Sequence, residues 1–256
     1  MKVSHSKISD TGLKRDHNED SILVNTGRGL YLLADGIGGH AGGEAASKLA
    51  LNTVLKIFME IEELGDEELE SLHESNRGLP PPGRKLVFSI LQANKEVVAA
   101  SNKYKKLKGM GATITAILNA PTSIFLAHVG DSRIYLNRGG DLKQLTEDHS
   151  FLVQELKRGT ITPEQAKKSP FRNRLTKAIG HMNTNRVDVQ ELNPEKDDLY
   201  LLCSDGLTDM LDDGEILKIL EEKAGLEQTC KKLVESSNNA GGIDNISIVL
   251  LRIEEN

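Results

Sequence analysis

The sequence contains few cysteines and no long apolar stretch. Cys203 and Cys230 are its only cysteines, so at most one disulfide could form and nothing indicates an oxidising compartment. No apolar run approaches the roughly 20 residues that a membrane-spanning helix needs. The first residues, 1–6, lack the apolar core of a signal peptide. These absences predict a cytoplasmic protein with no membrane partner.

The sequence also has no long basic run. Its formal net charge is −6, whereas a nucleic-acid-binding protein normally presents a basic face. The densest basic cluster, residues 103–108, lies at the end of a predicted helix, where positive charge interacts favourably with the helix dipole. Hydrophobic residues make up 38% and charged residues 27% of the chain, which is typical of a globular protein. We therefore expect a folded domain with no nucleic-acid partner.

Strand-like and helix-like patterns are grouped in blocks along the 256 residues. Apolar runs predict strands at residues 21–26, 29–34, 112–120, 123–129, 132–136, 186–192, 199–204 and 246–253. Apolar residues at helical spacing predict helices at 43–64, 85–106, 213–223 and 226–236. Neighbouring strands joined by tight turns favour antiparallel pairing, because parallel neighbours need a long crossover. With no internal repeat and no linker, the pattern predicts a single α+β domain over residues 1–256.

Acidic residues stand at the ends of several predicted strands. Asp35, Asp131 and Asp205 each follow a strand, and Asp244 precedes the last one. In an antiparallel sheet the end of one strand lies beside the start of its neighbour, so the four carboxylates can gather at one edge. A single Asp-Gly pair after a strand is more often only a turn, but several such endings favour a site.

A cluster of carboxylates needs a compensating charge. Two carboxylates about 4 Å apart repel by roughly 4 kcal/mol at an effective dielectric constant near 20. Protonation, a basic neighbour or a divalent cation could relieve this, and Arg133 is the only basic residue near Asp131 in the sequence. Oxygen ligands favour Mg²⁺ or Mn²⁺. Zinc is disfavoured, because no Cys/His set has the spacing of a zinc site.

Seven short blocks carry a resemblance to a known family. They are RDHNED at 15–20, DGIGGH at 35–40, MGAT at 110–113, HVGDSR at 128–133, LTEDHS at 145–150, CSDGLTD at 203–209 and DNIS at 244–247. In this order they resemble the metal-dependent protein phosphatase 2C (PPM) family in its compact bacterial form. Each block alone is weak, but the ordered set is specific and spans nearly the whole chain.

The resemblance implies a fold and a set of metal ligands. The fold would be a four-layer α-β-β-α sandwich of two antiparallel sheets flanked by helix pairs. The cofactors would be two Mn²⁺ or Mg²⁺ ions and a weaker third one. The implied ligands are Asp35, which would bridge two ions, the carbonyl of Gly36, Asp205 and Asp244, Glu19 and Asp20 through bound waters, and Asp131 at the third ion.

The resemblance also implies an activity. The protein would hydrolyse phosphoserine and phosphothreonine in proteins by direct attack of a metal-bridging water, with Arg15 binding the phosphate through its planar fork of donors. Its partners would be substrates of serine/threonine kinases, and it would act as a monomer. A cysteine-phosphatase mechanism is excluded, because Asp209 and Ser236 stand where that pattern needs arginine. The alternative within the family is a metal-free pseudophosphatase that serves as a binding module.

This sequence departs from the family pattern directly after Gly36. Animal members of the family carry a histidine directly after the Asp-Gly pair, and this histidine is proposed as the general acid. Here Ile37 occupies that position, and His40 is either catalytic or a helix-start residue bonded to the backbone.

Residues 148–180 resemble the family's mobile flap or form a surface helical hairpin, and we favour the flap because loops near active sites often carry specificity. The acidic segment 60–74 predicts a helix end that leads into an exposed loop.

Overall fold

The computed structural model describes residues 1–39, 41–72, 78–167, 169–171, 174–182, 184–222 and 224–255. Its first sheet contains β1 (Lys2–Asp10), β8 (Arg133–Arg138), β9 (Asp141–Gln144), β11 (Leu199–Cys203) and β12 (Ile246–Glu255). Their order is β1-β12-β11-β8-β9, and every neighbouring pair is antiparallel.

The second sheet contains β2 (Ser21–Asn25), β3 (Leu30–Ala34), β6 (Ile114–Asn119), β7 (Ile124–Val129) and β10 (Asp188–Leu192). Their order is β10-β7-β6-β3-β2, again antiparallel throughout. A short pair, β4 (Gly36–Ile37) and β5 (Gly111–Ala112), continues from the ends of this sheet. The prediction of antiparallel pairing is confirmed.

The described residues form eight α-helices, and two pairs of them cover the outer faces of the sheets. The eight helices are α1 (Ala41–Glu60), α2 (Asp66–Ser71), α3 (Pro81–Lys103), α4 (Phe151–Arg158), α5 (Pro163–Lys167), α6 (Asp205–Thr208), α7 (Asp213–Leu220) and α8 (Leu226–Asn239). None of the described helices is both apolar enough and long enough to cross a bilayer.

Three layers of apolar side chains separate the four layers of backbone, and β3 shows how they form. Leu30 and Leu32 point to a core shared with α1 and α3, whereas Tyr31 and Leu33 point to a core between the two sheets. A third core lies between the first sheet and helices α7 and α8. Because side chains alternate along a strand, a buried strand serves two cores at once. The predicted four-layer sandwich is confirmed.

The sequence prediction missed several elements, and three of them show why. Strand β1 was missed because its residues alternate between exposed and half-buried at the edge of a sheet and form no apolar run. Strand β9 was also missed, because its four residues contain a single apolar side chain, Leu142. Helix α2 lies in the acidic segment that we expected to be a helix end and a loop; its first turn holds Asp66, Glu67 and Glu68, where negative charge favours the helix dipole.

Candidate metal centre

The predicted carboxylates lie together at one edge of the sandwich. Asp35 follows β3, and Asp131 comes after β7. Asp205 follows β11, and Asp244 precedes β12. All four line one cavity of about 440 Å³. The other predicted site residues on its wall are Arg15, Glu19 and Gly36.

Among the described site residues, Asp20 is not part of that wall. Asp20 is 7% exposed and faces a second cavity, of about 540 Å³, between β1, β2 and α1. Its carboxylate still belongs to the same cluster electrostatically, because after burial it is the strongest cause of the raised pKa of Asp35. His40 lies outside the described residues.

Thr113 connects two of the acidic strand ends. Its Oγ1 accepts a hydrogen bond from the Asp35 N–H over 2.9 Å, and its own N–H donates to the Asp35 carbonyl over 2.8 Å. The same Oγ1 shares a 2.7 Å hydrogen bond with Oγ of Ser132, the residue after Asp131. Thr113 is fully buried, and it therefore sets the distance between the two strand ends. The MGAT block alone did not reveal this role.

Asn245 ties the N-terminal loop to the start of β12. Its Oδ1 accepts a hydrogen bond from the Glu19 N–H over 2.8 Å. Its Nδ2 donates to the carbonyl oxygens of Thr11 and His17, each over 2.9 Å. These contacts bring the loop that carries Glu19 against Asp244. Asn245 belongs to the DNIS block, but nothing local in the sequence indicates that its amide joins two distant segments.

Glycines allow Glu19 to approach the first turn of α1. A Cβ at Gly36 would lie 2.3 Å from the carbonyl oxygen of Gly43 and 2.5 Å from that of Glu19. Ser47, one turn further along α1, donates its hydroxyl to the same Glu19 carbonyl over 2.6 Å. The chain before β2, the strand β4 and the start of α1 therefore meet at van der Waals distance.

Burial and mutual repulsion raise the pKa values of the cluster. Burial, followed by the charges of neighbouring aspartates, raises the pKa of Asp35 and of Asp205 well above the ordinary value. Burial also raises the pKa of Asp20 and of Asp131 to about 6. An ionised cluster of this kind is unstable by itself, because the carboxylates repel one another and are poorly solvated. Binding a cation stabilises it.

Among the described residues, Asp244 has a basic partner, whereas no basic side chain forms an ion pair with Asp20, Asp35, Asp131 or Asp205. Arg133, which the sequence places near Asp131, forks instead onto Asp148, with Nε to Oδ1 at 3.0 Å and Nη2 to Oδ2 at 2.8 Å. Arg15 donates from Nη2 to Oδ2 of Asp244 over 2.5 Å, and this bond raises the pKa of Arg15. The Arg15 side chain is 50% exposed, so its guanidinium remains accessible from the cavity.

The residues present fit hard divalent cations. Oδ1 of Asp205 and both carboxylate oxygens of Asp20 are buried, and none has a hydrogen-bond partner among the described residues. Such oxygens are costly to bury unless a proton or a cation compensates them. The carboxylates on the cavity wall offer oxygens, the ligand type that Mg²⁺ and Mn²⁺ prefer.

A second group with metal-binding residue types was not predicted. His128, His149 and Asp188 offer ligand atoms that lie within 4.8 Å of one another. Asp188 lies on β10 directly opposite His128 on β7. The search for zinc spacing in the sequence missed them because strand pairing, not spacing along the chain, brings them together.

The sequence profile of the family described as Protein phosphatase 2C matches residues 13–245. The chain belongs to this family. Protein phosphatase 2C enzymes are metal-dependent, so the chain is a metal-dependent phosphoprotein phosphatase, and the family resemblance predicted from the seven blocks is confirmed.

Three relatives illustrate how far the similarity of this 2C-type phosphatase extends. Protein phosphatase PhpP of Streptococcus pneumoniae is 34% identical over 253 residues, which cover 98% of this chain and 97% of PhpP. The S. agalactiae serine/threonine phosphatase superposes with a TM-score of 0.86 at 31% identity, covering 99% of this chain and 100% of that one. The catalytic domain of PstP, solved in complex with two manganese ions, gives 0.80 at 33% identity and covers 99% of both chains.

Proposed function

We propose that this protein hydrolyses phosphoserine and phosphothreonine in other proteins, using two Mn²⁺ or Mg²⁺ ions held by the carboxylate cluster. The observation that carries the proposal is the convergence of four strand-end aspartates on one cavity beside Arg15. Relatives named as serine/threonine phosphatases, one of them solved with two manganese ions, support the substrate class and the metal. No comparison favours the pseudophosphatase alternative.

We assign the ligands residue by residue. Asp35, between the other carboxylates, would bridge the two ions, and the Gly36 carbonyl would bind one of them. Asp205 and Asp244 would complete the shell of the first ion. The buried, unpartnered Asp205 Oδ1 supports this role, since a ligand oxygen needs a free lone pair.

Three further acidic residues would act at the edge of the centre. Glu19 lines the cavity, and Asp20 is buried close enough to Asp35 to raise its pKa. Both would hold metal-bound waters. Asp131 would be a ligand of a third, weaker ion. Its raised pKa, about 6, agrees with a carboxylate that lies in the cluster without a basic partner of its own.

The chain's own residues would bind and orient the phosphate. When bound, the two cations lower the pKa of water and neutralise charge on the phosphoryl group. Arg15 presents a planar fork that matches two phosphate oxygens, and its hydrogen bond to Asp244 aims that fork at the cluster. Ile37 lines the cavity where animal members have histidine, and its side chain cannot donate a proton to the leaving alkoxide. His40 stays a prediction for that task.

We propose that residues 148–180 form a flap that faces the substrate. Arg174 and Leu175 from this segment line the active-site cavity, as does His181 just beyond it. Backbone bridges hold the segment at its base, between Ser150 and Leu175 and between Ala112 and Ile179. A hairpin that only faced water would have no side chains on the cavity wall.

Three expectations from the sequence stay predictions. They are a cytoplasmic location, a monomeric state without nucleic-acid or membrane partners, and kinase-phosphorylated proteins as substrates. The substrate prediction is tested by incubating the protein with phosphoproteins from the same cells and mapping the sites that lose phosphate.

The function is tested by Asp205→Asn. The variant should fold and should lose turnover of a phosphothreonine peptide and of p-nitrophenyl phosphate in Mn²⁺, because the amide removes the negative charge from a metal ligand. Asp197→Asn is the matched control: it makes the same chemical change at an exposed residue whose left-handed backbone, φ 71°, suits asparagine. Full Mn²⁺-dependent activity in Asp205→Asn, or wild-type activity that survives a chelator, contradicts the proposal.

A further inference from the structure

His149 holds both backbone hydrogen-bonding groups of Gly130. The Gly130 N–H donates to Nδ1 of His149 over 3.0 Å, and the His149 N–H donates to the Gly130 carbonyl over 2.8 Å. Gly130 has a φ of +116°, and a Cβ there would lie 2.6 Å from Cγ2 of Thr113, so only glycine fits this turn. Asp131 is the next residue. The position of its carboxylate therefore depends on a turn that one imidazole ring closes.

The opposite nitrogen of the ring is also occupied. Because the Gly130 N–H donates to Nδ1, a neutral ring carries its proton on Nε2. That Nε2–H donates to Oδ2 of Asp188 over 3.1 Å. Nζ of Lys177 lies 3.3 Å from Oδ1 of Asp188 and 3.2 Å from the same Nε2; since Nε2 carries a proton, the partner of the lysine is the carboxylate.

This group is a hydrogen-bonded network and not a zinc site. Metal coordination through Nε2 of His149 would move the ring proton to Nδ1, where it would face the Gly130 N–H. The Lys177 ammonium already stands beside Asp188 as its cation. The rings of His128 and His149 stack at 4.6 Å and 7°, and Nε2 of His128 donates to the Glu147 carbonyl over 2.8 Å. Both rings are therefore held in fixed planes.

The network also reaches the base of the flap. The Thr176 N–H donates to the His149 carbonyl over 2.7 Å, and the Phe151 N–H donates to the Arg174 carbonyl over 2.8 Å. Lys177 follows Thr176 directly, and Arg174 lines the active-site cavity. One histidine thus connects the turn before Asp131 with the segment that places flap side chains on the cavity wall.

We propose that His149 is a positioning residue that does two separate things through its two ring nitrogens. Nδ1 fixes the Gly130 turn and so presents Asp131, and Nε2, through Asp188 and Lys177, fixes the base of the flap. The proposal rests on the proposed function of Asp131 at a third ion. Hydrogen-bond partners of metal-site residues typically change metal affinity by about 10- to 100-fold when they are removed.

Two isosteric substitutions separate the two nitrogens. In His149→Asn the amide oxygen can take the place of Nδ1 and accept the Gly130 N–H, but nothing reaches Asp188. In His149→Gln the amide nitrogen can take the place of Nε2 and donate to Asp188, but the Gly130 N–H loses its acceptor. Lys177→Met keeps the histidine and removes only the ammonium, and because Lys177 is partly exposed we expect it to fold.

The direct measurement is amide hydrogen exchange at Gly130 in the protein freed of metal by chelation. We expect exchange to be at least about 10-fold faster in His149→Gln and close to wild type in His149→Asn and Lys177→Met. Calorimetric titration with Mn²⁺ should show that the affinity of the weakest site falls about 10-fold in His149→Gln and stays unchanged in the other two variants. In His149→Asn and Lys177→Met the KM for a phosphothreonine peptide should rise with little change in kcat.

The outcomes separate this proposal from a stability effect and from failure of the proposed function. Equal Gly130 exchange in wild type and His149→Gln overturns the role of Nδ1. Unchanged peptide KM in both His149→Asn and Lys177→Met overturns the role of Nε2. A histidine that only stabilised the fold would lower the melting temperature in both His149 variants. It would not separate the effect on Gly130 exchange from the effect on peptide KM. Wild-type protein that fails to hydrolyse the peptide contradicts the proposed function, while the exchange result is still decisive for the turn.

Discussion

A Cβ at Gly43 would lie 1.8 Å from Oε2 of Glu19, so the glutamate carboxylate rests directly on the first turns of helix α1. Alanine is normally the better helix residue, by about 1 kcal/mol over glycine. At this position it would instead displace an acidic side chain of the proposed metal centre. Glycine is therefore required here by the site and not by the helix.

We predict that Gly43→Ala weakens metal binding. The new methyl group forces Glu19 away from its position, and the Mn²⁺ concentration for half-maximal activity should rise about 10-fold, as expected for a residue that holds metal-bound water. Gly42→Ala is the matched control in the same helix, because its Cβ would lie 3.7 Å from Met110 Cβ, an ordinary contact. An identical Mn²⁺ requirement in the two variants would contradict the role of Glu19.

We predict that Arg15→Ala mainly weakens phosphate binding. Loss of the guanidinium fork should raise the KM for p-nitrophenyl phosphate about 10-fold or more, since a charge-assisted hydrogen bond contributes roughly 1.5–3 kcal/mol. Arg15→Lys should recover only part of the loss, because a point charge cannot replace two parallel hydrogen bonds. Lys14→Ala removes the same charge one residue away and controls for long-range attraction. Unchanged KM and kcat in Arg15→Ala would exclude phosphate binding by this residue.

We predict that the chelated protein loses stability as pH rises. Burial raises the pKa of Asp20 and of Asp131 to about 6, and burial with neighbouring charges raises the pKa of Asp35 and of Asp205 well above the ordinary value. Unfolded aspartate titrates near 3.9. A raised pKa means that the folded state binds more protons. The protonated carboxyl groups therefore contribute to the free energy of unfolding. Their contribution is fully present below about pH 4 and is lost as pH rises through about 6.

The measurement is the melting temperature between about pH 5 and 8 with chelator and with Mn²⁺. With chelator it should fall by several degrees over this range, and the rise caused by Mn²⁺ should be larger at pH 8, because the ions bind deprotonated carboxylates. Asp205→Asn with chelator should show a smaller fall, since one repelling carboxylate is gone. Equal pH dependence in wild type and variant would contradict the clustering of charge.

We predict that Asp198→Ala destabilises the protein without changing kcat. Asp198 is buried and receives a fork from Arg138, with Nε to Oδ1 at 2.7 Å and Nη2 to Oδ2 at 2.6 Å. The backbone carbonyl of Asp198 accepts a hydrogen bond from the Ile253 N–H over 3.0 Å. Ile253 lies at the far end of β12 from Asp244, so Asp198 is remote from the metal centre. Because the Arg138 side chain is 39% exposed and can be solvated again, the loss comes mainly from the hydrogen bonds to the buried carboxylate. It should lower the free energy of unfolding by roughly 1.5–3 kcal/mol.

Glu195→Gln is the control for Asp198→Ala. Glu195 binds the same arginine but is 63% exposed, and exposed pairs contribute about 0–1 kcal/mol. Denaturant unfolding curves and kcat values compare the two variants. Similar stabilities of the two would show that burial of Asp198 is not what makes its ion pair important.

Elements with strong apolar patterns were predictable from the sequence, and weakly patterned ones were not. Strands β3, β7 and β11 are continuous buried runs, and their ends led directly to Asp35, Asp131 and Asp205. Edge strand β1 is held by its backbone pairing with β12, which leaves its side chains free to be polar. No local pattern could reveal such a strand.

The aspartates of the metal centre and the network around His149 also differ in whether a local sequence feature marks them. The aspartates were predictable because each one marks a strand end, which is a local feature. The network of His149 with Gly130 and Asp188 was not, because it joins residues that only the pairing of β7 with β10 and the return of the chain at Lys177 bring together.

The sequence by itself determined the family, the layered α+β fold and the identity of the acidic residues, because these depend on residue order, side-chain period and strand ends. Only the tertiary structure decided which groups compensate one another: that Arg133 pairs with Asp148, that Arg15 pairs with Asp244, and that glycine at 43 makes room for Glu19. Contacts of this kind are set by distances of a few ångströms between segments far apart in the chain. Local propensities carry no information about those distances.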